Sequence, residues 1–224
     1  ASVSGGNAGR TQAQPSPYPE TLQQAIPDPG RIAAARKVLE EAGVEMVMSC
    51  WIDILGSPKT KPVPLSEFEN LCIGKGPQFA VHSVTMFPEL GPNDPDQIPV
   101  PDLDSLVVCP WDNRLAFVMA DLFYDDRPYD VCPRLALRRQ IAAAEKAGYR
   151  FFAGMEPEFI LLKVGSGGRL VKAFDEEPDA DPLTRLRRQA YGYDLEFSID
   201  AMPFLREMVT HMKTLGWNPK PIGY

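Results

Sequence analysis

Proline occupies 23 of the 224 positions, about twice its usual ~5% share. Each ring holds φ at about −65° and removes a backbone donor, so where these residues fall decides where helices and strands can run. Pro15, Pro17, Pro19 and Pro27 sit in a Gly-, Ser- and Gln-rich start with almost nothing apolar to bury, and residues 1–27 read as a flexible arm. Pro29 stands at the head of an expected helix, with Asp28 as N-cap, Gly43 as stop, and Ile32, Val38 and Leu39 on its apolar stripe. Pro133 opens a second helix, with Leu137, Ile141 and Ala144 at helical spacing and Gly148 at its end. The proline-rich stretch from Gly76 to Pro101 has few periodic apolar positions and reads as a long loop.

Elsewhere the period changes to two. Val44, Met46, Met48, Cys50, Ile52 and Ile54 fall on one side of an expected half-buried strand, with Glu45, Ser49 and Asp53 among those on the other. Gly56 and Pro58 break it, and Lys59–Pro64 is expected to return beside it as a hairpin. Glu67 to Gly74 reads as a short helix. Leu106–Pro110 and Arg114–Asp121 read as strands joined by Trp111-Asp112-Asn113. Tyr149 to Val164 reads as a further strand, residues 165–190 as a charged surface flap, and Met202–Leu215 as an amphipathic helix capped by Asp200. The first hundred or so ordered residues thus form a small mixed sheet with helices.

Charge narrows the function classes. The net charge of −7 argues against a nucleic-acid binder, which must neutralise phosphates with a basic face. Eight aspartates between Asp96 and Asp130, against only Arg114 and Arg127, read as a solvated acidic face. No apolar run approaches the ~18 residues that span a bilayer, and the start lacks an export signal's charged and apolar regions. A cytoplasmic protein with no membrane partner is expected. Cys50, Cys72, Cys109 and Cys132 form no CxxC pair and read as small buried hydrophobes. His82 and His211 are too far apart in sequence to suggest a histidine metal site.

The sharpest chemical feature is Glu156-Pro157-Glu158 inside an otherwise apolar stretch. In a strand, residues i and i+2 share a face, so two carboxylates would project side by side. A hard divalent cation with a preference for oxygen ligands would neutralise them; a solvated surface pair is the other reading of the spacing.

Gly154-Met155-Glu156-Pro157-Glu158-Phe159-Ile160-Leu161-Leu162 resembles the glutamine synthetase segment G-x-E-P-E-F-x-L. Ile52-Asp53-Ile54-Leu55-Gly56, followed by Lys59, Lys61, Val63 and Pro64, is similar to that family's first hairpin. Tyr193-Asp194, Asp200 and a helix reaching Gly216 resemble the stretch before its next metal-ligand strand. The resemblance covers residues 32–224 and implies an α+β chain: a small β-grasp N-terminal domain (28–130), then the first part of an α/β catalytic domain (131–224). It further implies a homo-oligomer of stacked rings with active sites between subunits. Asp53 would serve a neighbour's site, binding the ammonium ion and taking its proton. Glu156 and Glu158 would each help hold one of two Mg2+ or Mn2+ ions.

The implied reaction is ATP-dependent ligation of ammonia or an organic amine to the γ-carboxylate of glutamate, through γ-glutamyl phosphate. Where the family carries an F-D-G-S-S-like segment, this chain has Gly76-Pro77-Gln78-Phe79-Ala80-Val81-His82-Ser83, with no aspartate. In this it resembles relatives that accept methylamine or larger amines. Further metal, ATP and glutamate ligands are expected beyond Tyr224, so the 224 residues alone are expected to be inactive. Two other readings stand beside the ligase: a catalytically inactive homologue acting as a binding or sensor protein, and a β-grasp interaction module without ligand chemistry.

Overall fold

In the computed structural model, which describes residues 18–80, 91, 93–173, 195–217 and 219, the last part of the expected arm is structured. Thr21 accepts a hydrogen bond from Gln24 N and caps α1 (Leu22–Ala25). Leu22 N donates to Asp126 O at 3.0 Å, tying this turn to the body of the protein. The expectation for residues 1–17 lies outside the described residues. Asp28 accepts from Gly30 N at 2.8 Å and starts α2 (Pro29–Ala42), and Gly43, at φ 80°, ends it. Ile32 and Leu39 are buried, whereas Val38, expected beside them, is exposed.

Two compact units divide at Phe151 and Phe152. In the first, β1 (Met46–Ile52) pairs antiparallel with β2 (Pro58–Pro64), from Met46↔Pro64 to Ile52↔Pro58. The short helix α3 (Phe68–Cys72) follows, then β3 (Ile98–Pro101), β4 (Val107–Val108), β5 (Leu115–Tyr124) and β6 (Arg127–Pro128). The main path of the sheet is β2-β1-β5-β3, with β1 and β5 parallel and β3 antiparallel to β5. Strand β3 lies in the stretch expected to be loop. Pro99 and Pro101 hide it from pattern reading, and both are tolerated because β3 ends the main path of the sheet.

The face of β1 that enters the core is the opposite of the one expected. Val47, Ser49 and Trp51 are buried, while Met46, Met48, Cys50 and Ile52 are half-buried. Glu45 N and Met46 N both donate to Arg114 O, at 2.7 and 3.1 Å. Two successive amides on one carbonyl take up a residue without advancing the ladder, which reverses the parity between Val44 and Val47. The inward face of the sheet then meets Ile32 and Leu39 of α2 and Phe68, Leu71 and Cys72 of α3, with Val63, Ala116 and Val118 completing the cluster.

Asp125 (φ 48°) and Asp126 (φ 62°) form the two-residue turn between β5 and β6. Both central residues are left-handed, as a type I′ turn requires. Asp126→Gly should relieve about 1–2 kcal/mol of conformational cost against about 0.5–1 kcal/mol of added chain entropy. A net gain of about 0.5–1 kcal/mol is expected in urea denaturation, at unchanged slope.

Helix α4 (Pro133–Lys146) buries Leu135 but leaves Leu137 exposed and Ile141 half-buried. It is held on the sheet at its first turns: Cys132 and Leu135 pack with Trp51 and Leu122. In the second unit, β7 (Leu162–Val164) and β8 (Leu170–Lys172) form a hairpin, and α5 runs Leu195–Thr214. The helix begins before Asp200, which is therefore interior and not its N-cap, and Pro203 lies within it. Phe159 and Phe204 meet edge to face at 6.0 Å. Of the flap expected over 165–190, residues 165–173 instead complete the β7–β8 hairpin, while 174–190 and the residues Tyr193-Asp194 lie outside the described residues.

Candidate functional site

The loop between β1 and β2 is built around one carboxylate. Asp53 N donates to Ser57 O, and Gly56 N donates to Asp53 O, both at 3.0 Å. Gly56 takes φ 81° to close this turn, a left-handed position that a side chain would strain. Asp53 Oδ1 accepts from Leu55 N at 2.9 Å and from Ser57 N at 2.8 Å. Asp53 Oδ2 faces Lys59 Nζ at 3.4 Å. Asp53 is only 4% exposed, although Ile54 and Leu55 beside it are exposed. Burial by itself raises the Asp53 carboxyl. The amides of Ser57 and Leu55 and the Lys59 ammonium outweigh it, leaving the group below its ordinary value. It is therefore ionised at neutral pH, and the stability it lends is lost as pH falls through its lowered folded-state value.

Two residues before Asp53, Trp51 stacks on Phe79 with ring centroids 4.1 Å apart and planes at 5°. Phe79 is pinned in turn by paired backbone bonds to Gln97, at 3.2 and 2.8 Å. Lys61 Nζ donates to Gln78 O at 2.6 Å. The part of the Gly76–Ser83 segment that the structure describes, residues 76–80, is thus drawn against the end of β1. Residues 81–83 lie outside the described residues.

Sequence reasoning missed a second polar cluster. Asp121, 9% exposed, accepts from Arg134 Nε at 2.9 Å and lies 3.7 Å from Arg138 Nε. Both guanidinium groups also contact Asp102 Oδ2. Arg31 pairs with Asp104, and Arg114 with Asp112. Asp96, Asp104, Asp125, Asp126 and Asp130 are exposed, as expected of a solvated acidic face, but Asp102 and Asp121 depart from it, neutralised by the chain's own arginines. The i, i+4 spacing of Arg134 and Arg138 was the signal available for that pairing. The cysteines are free thiols, three of them buried; burial, aided by Glu69, pushes Cys72 up to about 12, which leaves it unreactive.

Glu156 and Glu158 lie in the second unit, in a segment that carries no strand. Among the described residues, only Leu162–Val164 of the expected Tyr149–Val164 strand forms a ladder, with the three residues of β8. No ladder fixes a shared face for the two carboxylates, and both are exposed. Met155, Phe159 and Ile160 around them are exposed too. Among the described residues no group of three or more His, Cys, Asp or Glu is placed to hold a metal. As donors, two carboxylates suit a hard divalent cation, but as part of a larger oxygen set.

Residues 130–222 match the family described as glutamine synthetase, catalytic domain. The glutamine synthetase of Rhizobium meliloti is 33% identical over 181 residues, covering 80% of this chain and 38% of the relative. The glutamate–methylamine ligase of Methyloversatilis universalis is 32% identical over 161 residues, 71% of this chain and 34% of the relative. Among solved structures, the GmaS/ADP complex in conformation 1 superposes with a TM-score of 0.63 at 22% identity, over 84% of this chain and 40% of that one. That likeness is one of fold. The chain spans somewhat over a third of the length of the curated relatives it matches.

Proposed function

Because the chain belongs to the glutamine synthetase family, we propose that it supplies the N-terminal part of an ATP-dependent ligase joining an amine to the γ-carboxylate of glutamate. The observation that carries this reading is the Asp53 carboxylate: buried, ionised, with one oxygen engaged by the backbone and the other directed at a cation. Such a group can hold a protonated amine. An ammonium nitrogen has no lone pair, so Asp53 would take one proton as the amine becomes the nucleophile; nitrogen would then bond to the acyl carbon as phosphate leaves, with its second proton released to phosphate or water.

The acceptor we favour is an organic amine. Where the family's segment carries an aspartate, residues 76–83 of this chain carry none, and Phe79 among them stacks on Trp51. A site with one carboxylate and an aromatic neighbour tolerates carbon on the nitrogen better than a cage of carboxylates does. The glutamate–methylamine ligase relative supports the same choice. In this reading residues 28–130 are the β-grasp domain, and Asp53 completes the site of a neighbouring subunit in a homo-oligomer of the cytoplasm. No described helix is long and apolar enough to cross a membrane.

Glu156 and Glu158 would each contribute an oxygen ligand to one of two Mg2+ or Mn2+ ions, which supply charge stabilisation for phosphoryl transfer from ATP. With one carboxylate per ion, the 224-residue chain alone is expected to bind Mn2+ weakly in calorimetric titration. Tight stoichiometric binding would show that further ligands lie within it. The reading is tested by assaying the ligase that carries this sequence for γ-glutamyl product with ammonia, methylamine and a bulkier amine. ATP- and glutamate-dependent product with methylamine exceeding that with ammonia is the expected result. Absence of product with every amine removes the proposal.

A further inference from the structure

A cation already stands at the Asp53 carboxylate. Leu55 N and Ser57 N both use Oδ1, so Oδ2 is the oxygen left for a charged nitrogen. Lys59 Nζ lies 3.4 Å from it, and the lysine side chain is 44% exposed against 5% for the aspartate. The backbone of Lys59 is fixed opposite Trp51 in the β1–β2 ladder, so the ammonium can leave Oδ2 by rotation of its own stem without moving the strand. A lysine head and a protonated primary amine are the same chemical group, a point charge with three N–H donors. Two of them on one carboxylate oxygen would repel at contact distance.

Resting on the reading that Asp53 receives the amine, we propose that Lys59 is a built-in competitor for that position. Its ammonium holds Oδ2 until the substrate displaces it, and so it sets the apparent affinity for the amine. Lys59 touches the same atom as the substrate nitrogen but takes no proton and forms no bond.

The test is steady-state kinetics of the ligase carrying this sequence, with methylamine varied at saturating ATP and glutamate. Lys59→Met removes the competing charge and should lower the KM for methylamine about two- to fivefold, the range of a partly exposed ion pair. The KM values for glutamate and ATP should not move. Lys59→Arg keeps a cation within reach and should leave the methylamine KM at or above its original value. Lys59 lies on an exposed strand, so both variants should fold, as melting curves will show; Lys59→Gln is the second neutral variant if Met disturbs that surface.

An unchanged or raised methylamine KM in the neutral variants overturns the competition. If Asp53→Asn still loses amine transfer in that case, the Asp53 reading survives and Lys59 is only a neighbour. If Asp53→Asn transfers amine normally, both fall together.

Discussion

Asp53→Asn should depress amine-dependent turnover of the ligase by about two to four orders of magnitude, the range of a positioned acid or base, and leave glutamate activation nearly untouched. The substitution is clean for a structural reason. Asparagine keeps the Oδ1 acceptor that Leu55 N and Ser57 N use, so the 53–57 loop retains its frame. What disappears is the charge at Oδ2, the atom facing Lys59 and, in the proposed reaction, the amine. ATP cleavage with glutamate alone is compared with product formation from ammonia, methylamine and a bulkier amine. An equal loss in both steps, or intact amine transfer, would show that Asp53 serves the loop and not the amine. Ammonia outperforming every organic amine in the unmutated enzyme would remove the significance given to the missing aspartate in residues 76–83.

Phe68→Ala should lower the unfolding free energy by about 3–5 kcal/mol, the usual cost of emptying a fully buried aromatic position. Phe68 is wholly buried, in the cluster with Val47, Leu71, Ala116 and Val118. The cavity would open between the inward face of β1 and β5 and the helices that cover it, where the short helix α3 cannot collapse without losing its own contacts. The effect is read as a shift of the urea midpoint. A change below about 1 kcal/mol would mean that Phe68 is not the centre of this core.

The local punctuation of the fold was legible from residue types because its causes act over a few positions. Asp28 and Gly43 bracket α2 as expected, Pro133 opens α4, and Gly56 and Pro58 turn β1 into β2. Each rests on a cap, a fixed φ or a left-handed turn. The family motif around Glu156 and Glu158 was readable in the same way, as a string of residue types. Its chemistry as a metal site stays a proposal, because the carboxylates stand exposed in a segment without a ladder.

Composition and order alone determined that this chain carries a hairpin with Asp53 at its turn, a helix bracketed by Asp28 and Gly43, a second opened by Pro133, and a resemblance to glutamine synthetase that includes its first hairpin. Tertiary structure decided which face of β1 is inside, through two amides sharing Arg114 O. It also decided that Pro99 and Pro101 sit in a strand, and that Asp102 and Asp121 meet Arg134 and Arg138. The reason is range. Caps and turns are settled by dihedral limits within a few residues, whereas face, register and charge pairing depend on what packs opposite, and that partner lies tens of residues away.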